Sequence, residues 1–187
     1  DDAATSVYTG TGNRLERHWQ TDIFNSLGMV YTFLTHYLGF GGFADEGKVM
    51  ALAAYGGPTY VERFRDLIRL DPEGRYRVDM SYFDYDAHAM LRPFKQKFID
   101  TFGPIRKPQD PLDDRHRDIA HALQAVTEEA ILHIARHLDR TYPSRNLIIS
   151  GGVALNCVAN ARVARDTGFR EVWVPPVASD TGAPLGS

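Results

Sequence analysis

Two short segments carry the residue types that a nucleotide-handling site needs. The run 146–156, NLIISGGVALN, reads as an apolar strand at 147–150 that ends in Gly151 and Gly152 and passes into a helix-like stretch. The run 176–182, PVASDTG, follows a second strand at 171–174 and ends in Ser179, Asp180, Thr181 and Gly182. Unpaired amides at a helix start attract anions, and glycine lets the backbone approach a ligand closely. Two such junctions, carrying the amide of Asn156 and the carboxylate of Asp180, suit a phosphate or an adenylate beside one cleft. The bland alternatives stay open. A Gly-Gly pair after a strand is also a plain tight turn, and Asn156 and Asp180 equally fit helix caps.

Other polar residues have similar double readings. Lys48 could neutralise a phosphate as a point charge, or stand as a solvated lysine at a helix start. Glu46 could orient Lys48 or a ribose hydroxyl, or simply favour the positive end of the helix dipole. Ser26 sits where a helix cap belongs. His133 and His137, at i and i+4, share a helix face that could hold a metal. They lack the adjacent glutamate of an HExxH helix and read as surface or core-edge histidines. Tyr82, Phe83 and Tyr85 fit hydrophobic packing better than an acceptor pocket. No Ser-His-Asp or Cys-His nucleophile is visible, and Cys157 reads as a small core residue.

The elements that must position these residues follow from periodicity. Strands at 3–9 and 14–20 flank the hairpin signature Gly10-Thr11-Gly12-Asn13. A helix at 27–38 starts after Ser26 and closes at Gly39, a short one covers 49–55, and helical spacing runs over 60–70. Residues 71–114 are irregular, aromatic-rich and interrupted by prolines, as in an inserted lobe and linker. The longest amphipathic helix is expected at 117–142, with Ile119, Leu123, Val126, Ala130, Ile134 and Leu138 on one stripe. Hairpin, helices, then strand–helix–strand is the pattern of an α/β domain.

Composition narrows the function classes. At 187 residues and 43% hydrophobic content, the chain can bury a sizeable core alone or as part of a larger domain. A net charge of −3 offers no basic surface for nucleic acid or an anionic membrane. No apolar run approaches the roughly 18 residues of a membrane span. One cysteine excludes an internal disulfide and a cysteine-rich zinc module. A soluble cytoplasmic protein is expected. Asp1 opens directly into a strand and Ser187 closely follows Gly182, so the chain is expected to be a segment of a longer protein.

Three blocks, in order, resemble one family. Ser26-Leu27-Gly28, Tyr31, Thr35, Leu38-Gly39-Phe40, Glu46-Gly47-Lys48-Val49-Met50, Leu52-Ala53 and Tyr55-Gly56 form the first. Ser150 through Asn156 with Asn160, and Pro175-Pro176 through Gly182, form the other two. Together they resemble the carbamoyltransferases that include nodulation and antibiotic-tailoring enzymes. The resemblance implies a partial actin-like, ribonuclease-H-like ATPase fold with an inserted lobe at 71–114, residues 1–187 being the later portion of the transfer domain. It implies carbamoyl-adenylate made from carbamoyl phosphate and ATP, with transfer to a hydroxyl of a sugar or other natural product. It also implies a divalent metal, Fe2+, held by an upstream HxxxH pair outside this chain and by the aspartate that matches Asp180. Asp180 and Lys48 are then the expected catalytic residues, and Gly151, Gly152, Asn156, Glu46, Ser26 and Gly182 the expected nucleotide contacts. A core cut open favours self-association, so a homodimer is allowed. A sugar-kinase-like or chaperone-like ATPase of the same fold, or a non-catalytic fragment, remain the alternatives.

Overall fold

The computed structural model describes residues 3–41, 44–85, 93–179 and 182. Strands β1 (Ala3–Thr11) and β2 (Arg14–Asp22) form an antiparallel hairpin, two residues longer per strand than periodicity alone indicates. Its turn is Gly12-Asn13, with Gly12 at φ 62°, the left-handed backbone that a two-residue hairpin turn requires. A single 3-10 turn, Ile23–Asn25, then leads to Ser26. The Ser26 hydroxyl accepts the Met29 amide at 3.1 Å and starts helix α1 (Leu27–Tyr37). This helix is apolar around most of its circumference, so it buries Val30, Phe33, Leu34 and Tyr37 completely or nearly so.

Helix α2 (Glu46–Ala53) packs along the long helix α5 (Asp114–Thr141). The approach is close at Gly56, where any β-carbon would collide with the Arg117 carbonyl oxygen. Helix α3 (Val61–Leu67) stops earlier than its spacing indicates. Residues 68–70 instead form β3 (Ile68–Leu70), antiparallel to β4 (Tyr76–Val78). Turn chemistry overrides helical periodicity here: Glu73 and Gly74 both take positive φ, 61° and 71°, as a tight hairpin turn demands.

The stretch 71–114, expected as an inserted irregular lobe, carries regular elements among its described residues. Besides β4 it contains helix α4 (Gln96–Phe102), and Phe83, Phe98 and Phe102 are fully buried in the same core as α1, α3 and α5. Phe98 is the hub, its ring centroid 4.5 Å from Phe102, 4.6 Å from Phe94 and 5.2 Å from Tyr37. Tyr82 is buried there too. The prolines that interrupt periodicity thus join elements of one core.

Helix α5 has 28 residues, about 42 Å at 1.5 Å per residue. Asp113 caps it by accepting the His116 amide at 3.1 Å. Arg115 can only donate, so His116 Nε2 accepts from it at 2.8 Å, while Nδ1 closes the capping box 3.2 Å from the Asp113 amide and 2.5 Å from its carboxylate. Beyond α5, strands β5 (Asn146–Ile148) and β6 (Glu171–Trp173) pair in parallel, connected through helix α6 (Cys157–Asp166). Leu147 and Val172 face a smaller core with Ala135, Val163 and Phe169. Ile148 and Trp173, paired in register, lie on the other face and are 66% and 54% exposed. The molecule is therefore a mixed α/β protein, its described residues forming three two-stranded sheets around a helical core. None of the described helices is long and apolar enough to cross a membrane.

Candidate functional site

The two strand–glycine junctions meet. Ser150 Oγ and the Gly151 amide both donate to the Ala178 carbonyl oxygen, at 3.1 and 2.6 Å. Gly151 takes φ 101°, which re-aims the chain into a short 3-10 turn, Gly152–Leu155. A β-carbon at Gly151 or Gly152 would meet nothing within 4 Å, so the turn is open on one side. Its first amide, however, is already used by Ala178. The exposed Gly152 N–H meets no protein acceptor among the described residues. At the other junction the Gly182 amide donates to the Ser179 carbonyl at 2.9 Å, and a β-carbon on Gly182 would collide with the Val177 carbonyl oxygen. Asp180 and Thr181 lie outside the described residues.

Asn156 caps α6, its Oδ1 accepting the Ala159 amide at 3.0 Å. The same amide group pairs face to face with Gln124 of α5. Asn156 Nδ2 donates to Gln124 Oε1 at 3.0 Å, and Gln124 Nε2 donates back to Asn156 Oδ1 at 3.1 Å. Gln124 also accepts the buried Tyr31 hydroxyl at 2.9 Å and donates to Glu128 Oε1 at 2.8 Å. Arg162 holds the other Glu128 oxygen at 3.2 Å. A carboxylate only accepts, so Glu128 fixes which way the Gln124 amide points, and Gln124 fixes Asn156. The outcome is specific: among the described residues Asn156 has one N–H without an acceptor, and both lone pairs of its Oδ1 are used. Burial raises the Tyr31 pKa, and the Glu128 and Glu46 carboxylates raise it further, so its hydroxyl remains a donor.

The remaining expected residues are placed differently. Lys48 is largely exposed, and its partner is Asp45 at 2.7 Å rather than Glu46. Asp45 also accepts the Gly41 amide at 2.8 Å, and these bonds hold its carboxyl below the usual range. Glu46 accepts from Thr32 Oγ1 at 2.7 Å and from the Ala44 amide at 2.9 Å, closing the turn onto α1. Ser26 is the α1 cap already described. Gly151, Gly152, Asn156 and Gly182 thus gather where the junctions meet, and Glu46 flanks the same network through Tyr31. Among the described residues Lys48 forms no hydrogen bond or ion pair to the glycine junctions or Asn156.

His133 Nε2 lies 2.8 Å from the Asp71 carbonyl oxygen, and the His137 ring packs where a Gly74 side chain would stand. Among the described residues no three His, Cys, Asp or Glu side chains are grouped to hold a metal. Cys157, expected in the core, is exposed at the start of α6. Gln124, Tyr31 and Glu128 were not among the expected site residues. The available signal was a glutamine, Gln124, adjacent to the apolar stripe of a long helix, where a polar side chain needs a buried partner.

Comparison with known proteins agrees with the three sequence blocks. The family described as the carbamoyltransferase N-terminus matches residues 1–187. The chain is 41% identical over 187 residues to the uncharacterized protein sll1178 of Synechocystis, covering 99% of this chain and 30% of that protein. It is 36% identical over 164 residues to nodulation protein NolO of Bradyrhizobium diazoefficiens, covering 87% of this chain and 28% of the relative. It is 29% identical over 145 residues to the 3'-hydroxymethylcephem-O-carbamoyltransferase of Streptomyces clavuligerus, covering 76% and 24%. The chain spans less than a third of the length of each of these relatives. With the family match running the full 187 residues, through both glycine junctions and the Asn156 cap between them, the chain belongs to the carbamoyltransferase family.

Proposed function

We propose that this chain supplies one wall of the transfer site of an O-carbamoyltransferase. The parent protein would make carbamoyl-adenylate from carbamoyl phosphate and ATP and pass the carbamoyl group to a hydroxyl of a small molecule. The observation that carries this reading is the open Gly151–Gly152 turn, set beside an Asn156 amide whose polarity three helices fix. In this reading the domain is the later part of an actin-like ATPase fold, working in the cytoplasm where ATP is supplied.

The residues present suit an anionic nucleotide. Space for a β-carbon at Gly151 and Gly152 is empty, so a phosphate can approach the backbone there. The Gly152 N–H and the remaining Asn156 N–H are both donors, and both match acceptor atoms on a phosphate or ribose. Carbamoyl-adenylate, when bound, supplies a carbonyl activated as a mixed anhydride with AMP as the leaving group. The chain's own contribution is to hold that anhydride in reach of the acceptor hydroxyl while Gln124 keeps Asn156 from rotating. Lys48 stands apart from this turn in a pair with Asp45, so its proposed part is to draw anions toward the surface.

The described residues do not by themselves fit a divalent metal, because no three ligating side chains converge. Fe2+ bound through Asp180 would need further ligands from outside them, and no step is derived through it. A direct test measures AMP release by the full-length protein with ATP, carbamoyl phosphate and hydroxyl-bearing acceptors. Release that depends on carbamoyl phosphate, with carbamoylated acceptor formed, is expected. Asp180→Ala should keep carbamoyl-adenylate formation and lose transfer. Phosphorylated acceptor without any carbamoyl phosphate requirement would instead favour a kinase of similar fold.

A further inference from the structure

We infer that the cleft beside the β3–β4 hairpin is an anion site for a terminal phosphate group, held between the guanidinium groups of Arg69 and Arg77. The cleft encloses about 290 Å³ and is lined by Arg69, Arg77, Val78, Asp79 and Met80. Arg69 and Arg77 are direct partners across the antiparallel ladder, so both side chains rise from the same face of the hairpin. Ile68 and Val78 alternate to the other face, where both are buried in the core. Like charges directly opposite each other on a sheet repel. More than half of each arginine side chain is exposed, so both forks are open to a ligand.

The carboxylates nearby are either engaged elsewhere or distant. Asp79 Oδ1 accepts the Ser81 amide and hydroxyl at 2.9 and 2.6 Å, and its Oδ2 accepts from Lys97 Nζ at 3.2 Å. That Oδ2 stands 3.9 Å from Arg69 Nη2, beyond hydrogen-bond reach. Asp71 Oδ1 is 3.5 Å from Arg77 Nη2, at the limit of that reach. Arg69 donates its Nε–H to the Asp66 carbonyl oxygen at 3.0 Å, and this bond fixes how its fork is presented. Among the described residues, the terminal N–H groups of both arginines therefore lack a close acceptor. Lys95 adds a cation at the rim, donating to the Met80 carbonyl oxygen at 3.3 Å. Four cations, Arg69, Arg77, Lys95 and Lys97, thus stand against the two carboxylates of Asp71 and Asp79, on a chain whose net charge is −3.

Stereochemistry selects the ligand. A guanidinium fork binds an oxyanion through two parallel N–H···O bonds. A carboxylate has two oxygens and satisfies one fork. A phosphate dianion, free or esterified, has at least three terminal oxygens and two charges. It accepts from both forks at once and cancels the repulsion between them. Such a ligand would tie β3 to β4 through their side chains, and two strands of three residues each have few ladder bonds of their own.

Hydrogen exchange of the full-length protein, followed in the peptides that carry residues 68–78, tests this with inorganic phosphate, AMP, acetate and chloride at equal ionic strength. Phosphate at ten times its Kd should slow exchange of the hairpin about tenfold, as expected for a ligand that binds only the closed form. Equal protection by AMP would show that the site takes a phosphate ester, and protection by inorganic phosphate alone that it takes the free ion; either supports the inference. Unchanged exchange in phosphate would overturn it. Equal protection by acetate or chloride would overturn it as well, since the effect would then be carboxylate binding or charge screening. Arg77→Gln and Arg69→Gln each remove one exposed fork, and each should abolish the phosphate effect while the ligand-free protein melts as before. Full slowing in either variant would overturn the inference. The site shares no residue with the glycine junctions and exchange is read without turnover, so this inference and the proposed function fail separately.

Discussion

The helical core and the strand-bearing side of this protein are finished to different degrees. Around α1, α3, α4 and α5, side chains such as Phe33, Leu34, Phe64, Phe98 and Leu123 have essentially no exposure, and ring packs on ring. On the β5–β6 side the core is small, Ile148 and Trp173 stand in solvent, and β1 and β5 each pair with a single strand among the described residues. Helices satisfy their own backbones, so a helical core can close within one segment. A sheet needs neighbours at both edges and is the natural place for a further segment to join. The glycine junctions sit on the unfinished side, which is where a ligand or another part of the chain can reach them.

The sharpest test of this contrast is a pair of truncations in the full-length protein. Phe98→Ala removes the hub of the aromatic cluster and should cost about 3–5 kcal/mol in denaturant unfolding. Trp173→Ala should change stability by no more than about 0.5 kcal/mol if its face is bare. A large loss at Trp173 would show that the parent protein covers that face. Next in size is Gly56→Ala, whose new methyl meets the Arg117 carbonyl and must push α2 from α5, at roughly 1–3 kcal/mol. Faster amide exchange in α2, with α4 unchanged, would locate the damage.

Gln124→Leu probes the border between the two regions. It leaves the Tyr31 hydroxyl and a Glu128 oxygen without their partner and should cost about 1–3 kcal/mol. It also frees the Asn156 amide to rotate, so nucleotide affinity of the full-length protein should fall by more than stability explains. Unchanged affinity, measured by calorimetry, would separate Asn156 from ligand binding. The smallest effect concerns acid stability. Bonds from Ser81, then Lys97, hold the Asp79 carboxyl at about 2 against an ordinary value of 3.8. The folded state therefore binds this proton less readily than the unfolded chain, and stability falls as pH drops from 3.8 toward 2. Asp79→Asn should flatten the unfolding curve across that window only.

Local signals in the sequence were sufficient wherever chemistry and periodicity agreed. Ser26 as a cap, Gly39 as a stop and the α5 stripe through Ile119, Leu123 and Val126 are all found as their residue types indicate. The two glycine junctions and the family blocks were likewise legible, because glycine, asparagine and proline act over a few residues. The end of α3 was legible only in part, since Ile68 fits either period and the Glu73-Gly74 turn decides for the strand.

Long-range pairing was not legible. Nothing near residue 98 in the chain indicates that α4 joins the core of α1, or that Gln124 lies opposite Asn156 across 32 positions. The sequence by itself determined the family, the mixed α/β class and the presence of the hairpin, α1, α2 and α5, because these rest on short-range backbone preferences and amphipathic period. Only the tertiary structure decided that Lys48 pairs with Asp45, that Gly151 gives its amide to Ala178, and that Asn156 is locked by Gln124. Those outcomes depend on which donors and acceptors meet after folding, and a buried amide must take whatever partner the packed helices bring to it.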